Sequence, residues 1–234
     1  MIVTILILVV LGLCILAGYY RGVIYSAVSI GVTLLSFFLA LLLIPVIASP
    51  VRESKKLYGS LLYYFEGYEF VSKTSVEMIH DPVSLIDSDT LSEVVENAEL
   101  PLPLDSAVES NIRREIYQDS GISTLGDYFN QTIVDVVLNI LSLLLLFVVF
   151  RVLLGFILRM IDYGRHGLPT LKRFDPLFSC GIGFLHGITL LYIFFLIAPI
   201  ILTIVPKLGQ MLIEPPLAGF FYRMNPFMWL IPTT

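Results

Sequence analysis

The stretch from Phe178 to Val205 is an apolar run in which the only titratable side chain, apart from cysteine and tyrosine, is His186. About 20 consecutive apolar residues are enough for an α-helix to cross the hydrocarbon core of a bilayer, so the run predicts a membrane-spanning helix. The composition agrees, because 57% of the 234 residues are hydrophobic and only 14% are charged. Soluble domains are usually a little under half apolar, so an ordinary soluble domain is excluded.

Three more apolar runs predict three more spans. The four predicted spans are residues 2–17, 23–47, 132–158 and 178–205. The glycine-flanked turn Gly18-Tyr-Tyr-Arg21-Gly22 separates the first two, and Pro45 and Pro50 are expected to close the second. The predicted fold class is all-α: a polytopic membrane protein with four transmembrane helices and a helical extramembrane insertion between helices two and three.

The predicted organisation has four parts. They are a transmembrane hairpin (1–50), an acidic, helical extracytoplasmic insertion (51–131), a second transmembrane hairpin with a basic cytoplasmic loop (132–205) and an aromatic, proline-rich interfacial tail (206–234). The insertion holds 15 of the 19 acidic residues and six of the 14 Lys and Arg, a net charge of −9. It is too long for a structureless loop, and helices are predicted at residues 57–70, 89–98 and 105–118.

Small and hydroxyl side chains form a continuous stripe along span two and a shorter one along span four. The stripes consist of Gly22, Ser26, Ser29, Thr33, Ser36 and Ala40, and of Ser179, Gly183 and Gly187. Residues spaced three and four apart share one helix face, and small residues on such a face let another helix approach closely within lipid. We therefore predict that both stripes are helix-packing seams. The alternative is that the hydroxyl groups of span two line a polar path.

Three polar residues within the predicted spans are the candidates for function: Asp135, Asn139 and His186. An ionisable side chain in a membrane span is a functional hypothesis by default, but His186 can equally serve as a structural hydrogen-bond partner. Asp135 lies near the start of its span, so we expect it to be solvated. Cys14 and Cys180 lie within predicted spans and indicate neither a disulfide nor a metal site. No catalytic, cofactor or metal-binding arrangement is predicted, so the chain is not expected to be an enzyme.

Basic residues predict the orientation. Arg159, Arg165, Lys172 and Arg173 lie in the short connection between spans three and four. Short loops rich in Lys and Arg stay in the cytoplasm. With four spans, both termini and residues 51–131 are then predicted to lie outside the cytoplasm.

The motifs at the first turn and at the start of span four resemble the colicin V production protein family of bacterial inner-membrane proteins. The matching positions are Arg21, Gly22, Asp175, Gly183 and Gly187. Ser179 stands where the family has a glycine, and His186 stands where it has Arg or Lys. The resemblance covers about 80 residues and omits the acidic insertion. It implies a protein of the bacterial cytoplasmic membrane with a part in toxin production or secretion and in the cell envelope, without an assigned reaction.

The sequence patterns and the resemblance together indicate two possible functions, of which toxin production and secretion are implied by the resemblance alone. The leading hypothesis is an accessory or scaffold role in toxin production, secretion and envelope maintenance, with the bilayer and other membrane or envelope proteins as partners. The alternative is a homo-oligomeric pore or a transporter of small solutes or ions, with polar residues of spans two, three and four along its path. Nucleic acid is not an expected partner.

Overall fold

The computed structural model describes residues 2–65, 78–160 and 175–234, without the side chains of Met160 and Asp175. Regular structure in these residues consists of α-helices and short 3-10 turns, so the predicted all-α fold class is confirmed. The helices are α1 (Ile2–Leu42), α2 (Ile44–Glu53), α3 (Lys55–Tyr64), α4 (Ser88–Asn97), α5 (Leu104–Arg113), α6 (Leu125–Met160), α7 (Asp175–Phe195), α8 (Ala198–Ile204), α9 (Pro206–Ile213) and α10 (Pro216–Arg223).

Among the described residues, three helical stretches are long and apolar enough to cross a membrane: Ile2–Glu53, Leu125–Arg159 and Pro176–Ile204. The predicted membrane class is therefore confirmed as far as helix length and composition are concerned.

Helix α1 folds back on itself at Gly22, where the backbone leaves the helical conformation (φ 80°, ψ 170°). A positive φ of this size favours glycine, which has no Cβ to clash. Two contacts show the fold-back. Gly187 lies against Cys14, while its neighbour His186 hydrogen-bonds to Thr33. In a straight helix Cys14 and Thr33 would be roughly 28 Å apart at 1.5 Å per residue, so the halves of α1 must lie side by side.

The chain forms two compact units. Unit 1 consists of Met1–Ile44, Ser142–Leu196 and Met211–Phe227. Unit 2 consists of Pro45–Leu141, Ile197–Gln210 and Met228–Thr234. Helix α6 contributes its first half to unit 2 and its second half to unit 1.

In unit 1, α7 packs against the first half of α1 through small residues. A Cβ added to Gly183 would lie 2.5 Å from the carbonyl oxygen of Cys14, and one added to Gly18 would collide with the carbonyl oxygen of Ser179. Gly187 likewise makes room for Leu11 and Cys14. These contacts bring the two backbones together where any larger side chain would separate them.

The segment that contains α10 folds back onto α7 within unit 1. The ring of Phe221 stacks on Phe195 at a centroid distance of 6.0 Å, and Asn225 donates a hydrogen bond to the carbonyl of Tyr192 (2.7 Å). Asn225 is 1% exposed. This part of the tail is therefore bound to the helical bundle through aromatic and polar contacts, which the sequence analysis did not anticipate.

In unit 2, α4 and α5 are amphipathic helices. Leu91, Val94 and Val95 of α4 are buried, as are Leu104 and Val108 of α5. Apolar residues at helical spacing form the buried face, and the charged residues of α4 lie on the opposite face. Both helices lie within two residues of their predicted starts, although α5 ends at Arg113 and not at Gln118.

Three further predicted helix boundaries are wrong. Helix α2 extends past both prolines: Pro45 lies in its first turn, where no intrahelical N–H bond is needed, and Pro50 lies inside the helix. Helix α6 begins at Leu125, seven residues before the predicted span. The helix predicted for 178–205 is broken after Phe195, and α8 restarts with Pro199 in its first turn. Helix α3 ends at Tyr64, with Phe65 as its C-cap, and residues 66–70 of the helix predicted for 57–70 lie outside the described residues.

Candidate functional site

Residues 132–140 of α6, which belong to unit 2, are all buried, so this part of the helix is buried on every side. This stretch includes Asp135, which is 4% exposed, and Asn139, which is fully buried. The expectation that Asp135 is solvated is therefore wrong. Arg52, Tyr58 and Tyr117, which are distant from Asp135 in the chain, contact the carboxylate that the local sequence places near the end of a span.

Asp135 accepts three hydrogen bonds from three parts of the chain. Arg52 Nε donates to Oδ1 at 3.0 Å, and the hydroxyl of Tyr58 donates to the same oxygen at 3.0 Å. The hydroxyl of Tyr117 donates to Oδ2 at 2.9 Å. A buried carboxylate needs such compensation, because an isolated charge in a medium of low dielectric is costly. We call this set of residues, together with Asn139, the Asp135 network.

The two tyrosines act as donors because they stay protonated. Burial raises the pKa of both Tyr58 and Tyr117, and the negative charge of Asp135 raises them further. The neutral phenol is the form that can donate to a carboxylate. Gln131 also donates from Nε2 to the hydroxyl oxygen of Tyr58 (2.6 Å), so that oxygen has both a donor and an acceptor.

Asn139 extends the Asp135 network to the end of the described chain. Its Oδ1 accepts from Nη2 of Arg52 (3.0 Å), and its Nδ2 donates to the carbonyl of Pro232 (2.8 Å). Buried Asn111 makes a parallel connection, donating to the carbonyl of Thr233 (2.9 Å) and to Oγ1 of Thr132 (3.2 Å). Two buried amides thus hold residues 232–234 against α5 and α6.

A second polar group lies in unit 1, along the stripe of small residues in α1. Thr33 Oγ1 lies 2.9 Å from Nε2 of His186, and it also donates to the carbonyl of Ser29 (3.0 Å). A hydroxyl has one proton, so Nε2 must be the donor in the His186 contact. One turn away, Nη2 of Arg151 lies 3.5 Å from Oγ of Ser29. His186 and Arg151 therefore both face the stripe.

The predicted site residues thus divide between the two units. Asp135 and Asn139 are joined through Arg52 in unit 2, whereas His186 contacts Thr33 in unit 1. The buried stripe and seam residues are Ser26, Ser29, Thr33, Ser36, Ser179, Gly183 and Gly187. Arg21 is exposed beside the turn at Gly22. The side chain of Asp175 and the basic residues Arg165, Lys172 and Arg173 lie outside the described residues.

Arg52, Tyr58 and Tyr117, the partners of Asp135, could not be identified from the sequence alone. They are 83, 77 and 18 residues from it in the chain, so no local spacing connects them. The spacing of Asp135 and Asn139 was the one local feature that indicated a shared site, since residues four apart share a helix face. Among the described residues, no group of three His, Cys, Asp or Glu side chains is placed to hold a metal ion.

Comparison with known proteins gives no relative at a significant level: no family model, no curated protein and no solved structure matches the chain.

Proposed function

We propose that the chain is a four-span protein of the bacterial cytoplasmic membrane that serves as an accessory or scaffold subunit in the cell envelope. The fold-back at Gly22 supports counting α1 as two crossings of about 20 residues each. The second half of α6 and the stretch Pro176–Ile204 supply the other two crossings. Unit 2 then supplies the platform on which other proteins assemble.

The observation that carries this proposal is the Asp135 network. It joins α2, α3, the segment after α5 and α6 through one carboxylate. Helix α6 is 36 residues long, about 54 Å at 1.5 Å per residue, while the hydrocarbon core is about 30 Å thick. Part of α6 must therefore extend beyond the core. The network lies on the first half of α6 and attaches α2, α3 and the segment after α5 to this long helix.

The hydrogen bonds of the network also favour a structural role over transport. A proton- or ion-carrying carboxylate needs free capacity to take up its cargo, whereas both oxygens of Asp135 have protein partners. Asn139 likewise uses its oxygen and its amide within unit 2. These residues are suited to holding a platform together.

An acidic helix face on unit 2 is the surface that we assign to a partner. Asp89, Glu93 and Glu96 are exposed and lie four and three residues apart on α4, opposite its buried apolar face. A face with one sign of charge attracts a partner with a basic surface and speeds their encounter. The resemblance to the colicin V production protein family adds the further proposal that the partner belongs to toxin production or secretion.

The test is to purify the protein from its native membrane in mild detergent and to measure the mass of the complex. We expect a stoichiometric partner that is lost from the triple variant Asp89→Asn, Glu93→Gln, Glu96→Gln at moderate salt. A matched control removes three exposed carboxylates elsewhere in unit 2, with Glu53→Gln, Glu115→Gln and Asp119→Asn, and should retain the partner. A homo-oligomer without a partner would contradict the scaffold proposal and favour a pore or transporter.

A further inference from the structure

A cavity of about 310 Å³ lies in unit 1 beside the turn at Gly22, and three of the side chains that line it are arginines. Its walls include Arg21, Tyr25, Ser29, Arg151, Gly155 and Arg159. The volume lies at the lower end of the range typical of small-ligand sites. We call it the arginine cavity.

Two of the guanidinium groups are held in place by neighbours. Arg21 donates from Nη1 to the hydroxyl of Tyr25 (3.1 Å), and its guanidinium lies 4.9 Å from the centre of the Tyr25 ring. Arg151 is half-buried and reaches Ser29, and the absence of a side chain at Gly155 leaves room for it. A Cβ added at Gly155 would lie 3.1 Å from Nη1 of Arg151.

The positive charges of the cavity lack a carboxylate among the described side chains. The ion pairs formed within residues 2–65, 78–159 and 176–234 are Arg52–Asp135 and Arg113–Glu109, neither of which involves a cavity arginine. Among the described residues, no acidic side chain lines the cavity. The positive groups of the cavity repel one another, and half-buried Arg151 is only partly hydrated, so a bound anion would stabilise the arrangement.

We propose that the arginine cavity binds a phosphate group, carried either by an anionic lipid headgroup or by a free anion. Guanidinium groups match phosphate oxygens with paired, charge-assisted hydrogen bonds. Arg159 lies at the end of the apolar stretch Leu125–Arg159, which is where a membrane helix meets the headgroup layer. Val152 and Phe156 also line the cavity and are 65% exposed, so they offer apolar surface to an acyl chain. Basic pockets between membrane helices are known to take phosphate headgroups.

The experiment uses the full chain reconstituted in nanodiscs of phosphatidylcholine alone. One arm adds phosphatidylglycerol, and a second arm adds inorganic phosphate without anionic lipid. Native mass spectrometry counts retained lipid, and thermal unfolding reports stabilisation by either probe. Loss of one charged hydrogen-bonding partner costs about 1.5–3 kcal/mol, which corresponds to a roughly 10- to 150-fold loss of affinity. We expect a loss of that order in Arg151→Gln.

Two further variants separate binding from folding. Gly155→Leu fills the cavity without changing any charge and should abolish retention of the probe. Arg114→Gln removes an exposed arginine of unit 2 and should leave retention unchanged. If Arg151→Gln does not fold, Arg159→Gln provides the same test from the exposed rim of the cavity.

Each outcome decides between the sources or overturns the proposal. Retention of phosphatidylglycerol that depends on Arg151 and Gly155, without stabilisation by phosphate, identifies a lipid headgroup. Stabilisation by phosphate with the same dependence, without lipid retention, identifies a free anion, and both responses together show that the cavity accepts either. Binding of neither probe overturns the proposal. So does binding that is unaffected by Gly155→Leu, or that Arg114→Gln weakens as much as Arg151→Gln.

Discussion

Replacement of Asp135 by Asn should destabilise unit 2 more than the loss of any other carboxylate described in that unit. The amide keeps one acceptor oxygen, but it loses the negative charge that faces Arg52 and places an N–H group where an oxygen now accepts from a tyrosine. Breaking a buried ion pair by removing one partner costs about 3–5 kcal/mol. The Arg52 side chain is 30% exposed, so water compensates part of that loss. Because of this solvent screening, we expect a cost at the lower end of the range, about 3 kcal/mol.

The effect is measurable as a shift in the unfolding temperature of the purified protein in mild detergent, followed by circular dichroism. A cost of 1 kcal/mol lowers Tm by about 2–4 °C in chains of 150–250 residues, so Asp135→Asn should lower Tm by about 6–12 °C. Asp119→Asn is the control, since Asp119 is exposed and carries the same charge. A double variant with Arg52→Gln should lose less than the sum of the two single losses, because the unpaired cation is removed. A shift below about 2 °C for Asp135→Asn would refute this account of unit 2.

Two further predictions concern glycine packing and alkaline pH. Gly183→Ala should lower Tm and the yield of folded protein because its Cβ would lie 2.5 Å from a backbone oxygen, whereas Gly181→Ala, with open space around it, should behave like wild type; equal losses would contradict the packing argument. Tyr58 and Tyr117 have raised pKa values in the folded chain, while the ordinary value is 10.0. As the pH rises, the unfolded chain therefore loses these protons first. The contribution of the two tyrosines to stability is fully present below about pH 10 and decreases above it. Above that pH, the urea midpoint of a Tyr58→Phe, Tyr117→Phe variant should decrease less steeply with pH than that of the wild type. An unchanged dependence of the midpoint on pH would show that these tyrosines are not responsible.

Features that depend on local spacing could be predicted from the sequence. The apolar runs identify helices suited to lipid, because that suitability is a property of consecutive side chains. The stripe in span two follows from spacing alone, and Ser26, Ser29, Thr33 and Ser36 are indeed on the buried side of α1.

Features that depend on distant residues could not be predicted. Asp135 looked solvated because its local sequence places it near a span end, but Arg52 and Tyr58 reach it from 83 and 77 residues away. The early start of α6 was missed for a related reason. Hydropathy detects the apolar part of a helix, whereas residues 125–131 continue the same helix within unit 2 and include polar Asp127, Asn130 and Gln131.

The membrane arrangement is the central claim, because the scaffold proposal requires unit 2 to lie outside the cytoplasm. The most direct test places single cysteines by Ser88→Cys or by His166→Cys in a background that carries Cys14→Ala and Cys180→Ala. An impermeant thiol reagent applied to intact cells should label position 88 and leave position 166 unlabelled, while permeabilised cells should show both labelled. Labelling at position 166 in intact cells, with position 88 protected, would reverse the orientation and contradict the account.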